Sequence, residues 1–247
     1  MKVFKWLACA WVLLPWMALA GPVESKVQES GMTPIKSAVL ESEFAAALAH
    51  VGNPFVGKQT YELCINCHGA TGAGLPSGTY PQLAGQHAQV LIKQMADIRK
   101  GVRDVPVMYP YAVQLKYAQD LADVAAYLEG LCIPVNHGRY EGVDAVQKNA
   151  VGKALYTQRC AQCHGANGEG DKLKFYPVIA GQHYKYLLRQ MTEIRDEKRR
   201  ISSPEMVKVI KTLSDDQLTA ISAYQASLTM RGAMCSKRGP VPPDSKE

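Results

Sequence analysis

Two cysteines and a histidine stand within five residues of the sequence, at Cys64, Cys67 and His68. Thiol and imidazole groups at this spacing allow three chemistries: half of a zinc site, a redox-active dithiol, or a point of covalent haem attachment. A zinc site needs four ligands, and a thioredoxin-like dithiol needs a βαβ setting. The elements around the motif must therefore decide which chemistry applies.

The motif occurs twice, and its second copy is Cys160, Cys163 and His164, 96 residues after the first. The flanking sequence repeats at the same offset. The repeated segments of the first copy are Val56–Lys58, Gly69–Gly74, Tyr80–Pro81, Ala84–His87, Gln94–Met95 and Ile98–Arg99. Such a long match indicates a duplicated domain of about 90 residues rather than two chance motifs.

Apolar residues in both copies follow the spacing of helix faces. Leu91, Met95 and Ile98 lie at i, i+4 and i+7, and the last helix of the second copy opens at Ser214 with a capping-box pattern. No segment alternates apolar and polar residues over a length that would indicate a strand. The sequence therefore predicts an all-α fold, which removes the βαβ setting that a dithiol would need.

The first 20 residues have the order of a secretory signal peptide. Two lysines precede an apolar run from Trp6 to Ala20, which is shorter than the roughly 20 residues needed to span a bilayer. We expect cleavage after Ala20 and export. The mature chain then keeps six cysteines, and an oxidising compartment favours cysteines that are paired or bound to a cofactor.

Haem attachment fits these observations best. Each Cys-x-x-Cys pair is followed at once by histidine and lies in its own complete repeat, which a shared zinc site does not require. The two thiols form thioether bonds to the porphyrin vinyl groups, and the histidine is then held under the iron. We expect two covalently bound haem c groups, on Cys64, Cys67, Cys160 and Cys163, with His68 and His164 as iron ligands.

On these motifs the chain resembles the periplasmic dihaem cytochromes c of the cytochrome c4 type, over about residues 52–131 and 148–230. The resemblance implies two tandem class I cytochrome c domains and a periplasmic location. It also implies that Pro81 and Pro177 accept a hydrogen bond from the proximal imidazoles. The expected order is signal peptide 1–20, N-terminal extension 21–50, cytochrome c domain 1 51–132, linker 133–147, cytochrome c domain 2 148–235 and C-terminal tail 236–247.

The sixth iron ligand is expected to be methionine. Met108 and Met206 follow their histidines by 40 and 42 residues, in loops that precede the final helix of each copy. A soft thioether ligand favours ferrous iron and suits an electron carrier. Core packing is the alternative role for both side chains, and it is the role expected for Met95 and Met191 on a helix face.

Four other histidines lie outside the two Cys-x-x-Cys-His motifs. His87 and His183 repeat 19 residues after the proximal histidines, and the family resemblance implies that they begin a helix near the haem rather than bind iron. His50 and His137 have no partner in the repeat and are predicted to lie on the surface.

Cys132 and Cys235 remain after the haem motifs are assigned. Each follows the last helix of its domain, but not at equivalent positions. An interdomain disulfide and two free thiols both stay open, because connectivity does not follow from sequence alone.

An iron held between histidine and methionine has no open coordination site, so the expected function is one-electron transfer. The expected partners are redox proteins: a quinol-oxidising complex or a dehydrogenase as donor, and a terminal oxidase or reductase as acceptor. Peripheral association with a membrane through these partners is compatible with this function. A cytochrome subunit fixed in a dehydrogenase or reductase is the alternative, and a dihaem peroxidase is disfavoured because both copies carry a methionine.

Charge is distributed unevenly along the mature chain. Residues 21–140 contain 9 Lys/Arg and 10 Asp/Glu, whereas residues 141–247 contain 17 and 12. The basic run Arg195–Arg200 is either a solvated helix end or a surface that docks an acidic partner. This modest excess in an exported protein argues against nucleic acid as a partner.

Overall fold

A computed structural model describes residues 34–230 and 232–235, and the predicted signal peptide and C-terminal tail lie outside this range. The helices are α1 Pro34–Ala49, α2 Pro54–Thr60, α3 Ile65–His68, α4 Ala88–Arg99, α5 Tyr109–Ala112, α6 Ala118–Gly130, α7 Ala145–Arg159, α8 Ala161–His164, α9 Tyr184–Arg195, α10 Pro204–Ile210 and α11 Asp215–Gln225. In the described part of the chain, β pairing is limited to two isolated bridges. The predicted all-α fold is confirmed.

Helices α2–α6 and α7–α11 follow the same order, so the repeat in sequence is a repeat in structure. Each copy has its own apolar core, and the predicted faces point into it: Leu91, Leu121 and Leu128 in the first copy are buried, as are Met191 and Leu218 in the second. The Ser214 capping box also forms, with Gln217 as its partner. Among the described residues, no helix has the length and apolarity needed to cross a membrane.

The first and last helices of each copy cross at a glycine. A Cβ atom on Gly57 of α2 would lie 2.0 Å from the carbonyl oxygen of Asp123 in α6, and a Cβ on Gly152 of α7 would lie 2.0 Å from that of Ala220 in α11. Both values are far below van der Waals contact, so the backbones touch where these helices pack. The repeated Val-Gly-Lys segment therefore encodes a helix crossing.

We predict that Gly152→Ala destabilises the second domain by about 3 kcal/mol, because the added methyl group must push two packed backbones apart. Chemical denaturation followed by far-ultraviolet circular dichroism measures the loss. Gly130→Ala is the matched control, since nothing lies within 4 Å of a Cβ placed there and alanine favours a helix. Equal stability of the two variants would contradict the close crossing.

Helix α1 belongs to the predicted N-terminal extension and packs on the first domain against α4 and α6. Ala47 is fully buried there, and Glu43 forms a 2.9 Å ion pair with Arg99 of α4. At the same level the ring of Phe44 lies 6.3 Å from that of Phe175 in the second domain. The extension therefore contacts both domains.

The linker is packed between the domains. Ile133 is fully buried, and its backbone forms a parallel bridge with Met234 beside a disulfide between Cys132 and Cys235. His137 is 7% exposed and donates from Nε2 to the carbonyl of Ala226 at 2.6 Å, so its predicted surface position is wrong. A buried histidine is tolerated here because its ring finds a carbonyl partner.

Glutamine side chains at equivalent positions join the two domains across an approximate twofold axis. Gln86 bonds to both backbone groups of Val178 at 2.9 Å, and Gln182 bonds to both backbone groups of Gln82 at 2.9 and 3.0 Å. In these four bonds a side-chain amide pairs with the backbone N–H and C=O groups of one residue, as the backbones of neighbouring β-strands do. They fix the domains against each other in one orientation.

Candidate haem sites

A single helical turn arranges each Cys-x-x-Cys-His motif. Cys64 caps the N-terminus of α3, and the amide of His68 donates to the Cys64 carbonyl at 2.9 Å. Residues at i, i+3 and i+4 of a helix share one face, so both thiols and the imidazole lie on the same side of α3. Cys160 and His164 repeat this arrangement in α8, with a bond of 3.0 Å.

In each motif the helical turn ends at a glycine, and a tyrosine from the preceding segment forms a hydrogen bond to that glycine. Gly69 and Gly165 have φ values of 73° and 78°, a left-handed conformation that favours glycine. The hydroxyl of Tyr61 donates to the Gly69 carbonyl at 2.7 Å, and that of Tyr156 donates to the Gly165 carbonyl at 2.6 Å. Both tyrosines are almost fully buried, so they anchor the motif to the core of each domain.

Proline carbonyls orient the histidines of both motifs. Nδ1 of His68 donates to the Pro81 oxygen at 2.9 Å, and Nδ1 of His164 donates to the Pro177 oxygen at 3.2 Å. These bonds place the proton on Nδ1 and leave the lone pair on Nε2. Burial lowers the pKa of both histidines, which favours the neutral imidazole that binds metal.

One buried polar atom has no partner in the described residues around this motif: Nε2 of His68. An unpaired polar atom in the interior is costly unless a ligand completes it. Iron bound at Nε2 would complete it, with Nδ1 already held by Pro81. The site therefore fits a haem iron.

The thiols do not resemble a reactive dithiol. Burial raises the pKa of Cys64 and of Cys160 to about 11, whereas redox-active thiols are acidified by their surroundings. Among the described residues, no three His, Cys, Asp or Glu side chains gather as a zinc site would require. Covalent attachment of haem through the two cysteines of each motif remains the chemistry that this geometry supports.

The two methionines occupy related but unequal places. Met108 is half-buried at the N-cap of α5, whereas Met206 lies inside the first turn of α10, where its backbone amide donates to the Ser203 hydroxyl oxygen at 3.2 Å. The prediction of a loop is therefore wrong for Met206. Its side chain packs on an apolar cluster that includes Ile194 and Leu218, a position compatible with core packing as well as with iron ligation.

His87 and His183 cap α4 and α9, as expected, but they also form the domain interface. Nε2 of His87 donates to the Glu169 carbonyl at 2.8 Å, and Nε2 of His183 donates to the equivalent Ala73 carbonyl at 2.8 Å. Both rings are therefore engaged by the other domain. The sequence did signal these positions, because Ala-Gly-Gln-His is repeated without variation, but it did not indicate which surface they join.

The basic run at the end of α9 is only partly a charged surface. Arg195 is paired with Asp196 at 2.8 Å and with Asp215 at 2.5 Å. Arg199 instead reaches across the interface to Gln94 of the first domain at 2.9 Å. Sequence reasoning missed Arg199 and its repeat equivalent Arg103 as interface residues.

Comparison with known proteins agrees with this geometry. The family "Cytochrome c" matches residues 56–131 and again residues 150–229. Cytochrome c4 of Pseudomonas aeruginosa is 34% identical over 72% of this chain and 90% of its own length, and cytochrome c4 of Azotobacter vinelandii is 32% identical over the same shares. A thiosulfate dehydrogenase electron acceptor of Stutzerimonas stutzeri is 32% identical over 67% of this chain and 78% of its length.

Solved structures agree as well. Reduced recombinant cytochrome c4 from Pseudomonas stutzeri superimposes with a TM-score of 0.61 at 29% identity, covering 72% of this chain and all of that one. Thiosulfate dehydrogenase (TsdBA) from Marichromatium purpuratum gives a TM-score of 0.61 at 32% identity, over 70% of this chain and 40% of that one. The chain therefore belongs to the cytochrome c family, as a tandem electron carrier of the cytochrome c4 type with two covalently bound haem c groups.

Proposed function

We propose that each domain holds its iron between one histidine and one methionine. The pairs are His68 with Met108 and His164 with Met206, while Cys64, Cys67, Cys160 and Cys163 carry the porphyrins and Pro81 and Pro177 orient the histidines. The observation that carries this proposal is the orphaned, buried Nε2 of His68 opposite a satisfied Nδ1. The same turn and the same proline carbonyl in the second copy support an equivalent site there.

Bound in this way, haem supplies a one-electron Fe(III)/Fe(II) couple. The protein would supply the rest: burial favours neutral His68 and His164, and Met108 and Met206 would provide the second protein ligand of each iron. A closed iron has no site for peroxide or another substrate. We therefore propose that the chain transfers electrons and is not itself an enzyme.

The proposed location is the periplasm, reached through a cleaved signal peptide at residues 1–20. The order of basic, apolar and small residues in that segment supports export. The disulfide between Cys132 and Cys235 supports an oxidising compartment. There the carrier would accept electrons from a quinol-oxidising complex or a dehydrogenase and deliver them to a terminal oxidase or reductase.

A cytochrome subunit of a dehydrogenase complex is the second candidate. It is favoured by the relative from Stutzerimonas stutzeri, whose name states that it accepts electrons from thiosulfate dehydrogenase. The thiosulfate dehydrogenase structure, of which this chain matches 40%, points the same way. The two candidates differ in whether the association with the donor is permanent.

The test is to purify the native holoprotein and titrate it against potential. A free carrier is expected to elute as a separate protein, to carry two haems per chain, and to take up two electrons in two one-electron steps. Co-purification with a catalytic subunit through ion exchange and gel filtration would establish the second candidate instead. Uptake of only one electron per chain would contradict both.

A further inference from the structure

The ring of His183 joins the second domain to the first domain and to the linker. Its Nε2 donates to the carbonyl of Ala73 in the first domain at 2.8 Å, and its Nδ1 accepts from the backbone amide of Gly138 in the linker at 3.0 Å. His183 is 1% exposed. One buried imidazole therefore holds three segments of the chain together.

The two partners fix the protonation state of this ring. A carbonyl oxygen can only accept a hydrogen bond, so Nε2 carries a hydrogen; a backbone N–H can only donate, so Nδ1 carries a lone pair. His183 is therefore bound as the neutral imidazole. A proton on Nδ1 would face the N–H of Gly138, and it would break that hydrogen bond and leave the amide without its acceptor.

Gly138 has little freedom to turn away from such a proton. A Cβ atom on Gly138 would lie 2.2 Å from the carbonyl oxygen of Pro76 in the first domain, so the linker and that loop are in backbone contact. The Gly138 carbonyl also accepts from the amide of Tyr184 at 2.8 Å. The Gly138 amide is thus held opposite Nδ1 of His183, and it can leave only if the linker moves.

The bond to Ala73 acts on the haem-binding segment of the first domain. Ala73 lies five residues after His68, and the next amide, that of Gly74, donates to the His68 carbonyl at 2.9 Å. A Cβ on Gly74 would lie 2.5 Å from the Pro81 oxygen, to which Nδ1 of His68 donates. The loop that His183 holds therefore contacts both His68 and the carbonyl that orients it.

His87, the equivalent histidine of the first copy, has a different partner at Nδ1. Its Nε2 donates to the Glu169 carbonyl at 2.8 Å, but its Nδ1 lies 3.7 Å from a carboxylate oxygen of Glu129. A proton on this Nδ1 gains an opposite charge, whereas a proton on His183 loses a hydrogen bond. The same repeated motif therefore responds to acid in opposite ways in the two domains.

Few titratable groups lie around His183. Residues 69–78 of the first domain contain none. The titratable residues beside Gly138 in the linker and beside His183 on α9 are His137, Arg139, Tyr140, Tyr184 and Lys185. Burial lowers the pKa of His183 from its ordinary value of 6.5; the bond to Ala73 opposes this shift, and the charge of His137 adds to it.

We propose that His183 is a positioning residue for electron transfer between the two domains and that it acts only as the neutral imidazole. Uptake of a proton from solvent at Nδ1 opens its contact with Gly138 and loosens its hold on the Ala73 loop. Because the closed contact binds the proton more weakly than the open one, it is complete above about pH 6.5 and weakens as the pH falls below that value. The electron-transfer part rests on the proposed carrier function, whereas the proton response does not.

The test compares His183→Gln with His87→Gln in the reduced holoprotein. A glutamine amide can donate to a carbonyl as Nε2 does, but it does not titrate, and His87→Gln makes the same change at the equivalent position. The protection of the Gly138 amide against hydrogen exchange is measured by NMR between about pH 8 and about pH 5, the range in which histidine changes its charge. Electron exchange between the two haems is measured by pulse radiolysis over the same range.

We expect the wild type and His87→Gln to lose Gly138 protection by up to about tenfold per pH unit below about pH 6.5, because one proton is taken up. Electron exchange should slow in parallel. His183→Gln should protect Gly138 less at neutral pH and should show no such loss in acid. If its acid response equals that of the wild type, His183 is not the group that takes up the proton, and the proposal is wrong.

Two further results would also overturn the proposal. Nitrogen NMR of the wild type reports the hydrogen on each ring nitrogen without any variant, and a hydrogen on Nδ1 of His183 at neutral pH would exclude the neutral contact. Unchanged electron exchange while Gly138 loses protection would exclude the positioning role. Failure of the carrier function itself would appear in the redox titration and would leave the response of the Gly138 amide intact.

Discussion

Replacing Met108 with alanine is expected to remove the methionine–Fe(III) charge-transfer band of one haem and to lower the midpoint potential of that haem. Met206→Ala is expected to do the same to the other. Thioether sulfur is a soft ligand that stabilises Fe(II) relative to Fe(III). Its loss should cost on the order of 0.1 V, well within the range of about 0.8 V that axial ligands span.

Absorption in the red region and a redox titration of each purified holoprotein measure these changes. Met191→Leu is the control, because Met191 is 5% exposed on the core face of α9 and its replacement alters packing alone. Comparing Met108→Ala with Met206→Ala also tests whether the two domains ligate iron in the same way. The question arises because Met108 is the N-cap of a helix and Met206 lies within one.

The outcome for Met206 separates its two possible roles. Its side chain already packs on the cluster of Ile210, Leu213 and Leu218, so alanine there should reduce stability under either role. If Met206→Ala unfolds more readily but keeps both charge-transfer bands, Met206 fills the core and another group binds the second iron. Loss of one band assigns it as the ligand.

Local features of this fold follow from its sequence. The 96-residue offset pairs Tyr61 with Tyr156 and Pro81 with Pro177, and each pair makes the same hydrogen bond in its own domain. Helical periodicity predicted which face of each helix is buried, because apolar side chains at i, i+3 and i+4 form one stripe that packs against the core. These patterns involve residues that are close in sequence or occupy equivalent positions in the two repeats, so they can be read from the sequence directly.

Contacts between the copies were not predictable in the same way. Nε2 of His183 bonds to Ala73, 110 residues away, and an invariant histidine in each repeat suits a haem pocket as well as an interface. For His137 the prediction failed in another way. This histidine has no counterpart in the other repeat and was predicted to lie on the surface, but its ring is buried and donates to the carbonyl of Ala226. Partners that lie in another domain leave no periodic signal.

Arg199 shows why a charge run is ambiguous. Arg195 and Arg200 surround it in sequence, and one is paired at the surface while the other is exposed. Arg199, four residues beyond the end of α9, instead points toward Gln94 of the first domain and donates to its side-chain oxygen. The sequence shows that the segment is rich in basic residues, but not which of their side chains point toward solvent and which toward the other domain.

Removing the disulfide is expected to be the largest change in stability available outside the haem sites. Cys132 and Cys235 are 103 residues apart in sequence, so the bond closes a loop that contains the whole second domain. The loop-entropy account gives about 4–5 kcal/mol for a loop of this size. We therefore expect Cys132→Ala/Cys235→Ala to unfold at a clearly lower denaturant concentration than the wild type.

We expect the variant to fold to the same structure, because native contacts surround the disulfide. Ile133 donates to the Ala233 carbonyl at 2.8 Å and accepts from the Cys235 amide at 2.9 Å, and its buried side chain stays in place between the domains. These contacts need the native state, whereas the disulfide restricts the unfolded chain as well.

A double variant is required because thiol reductants would also reduce the haem iron. The single variants Cys132→Ala and Cys235→Ala should each lose as much stability as the double variant, since either one opens the loop. If the double variant instead unfolds at the same denaturant concentration as the wild type, the interface holds the domains without the covalent link, and the loop-entropy account does not apply to this chain.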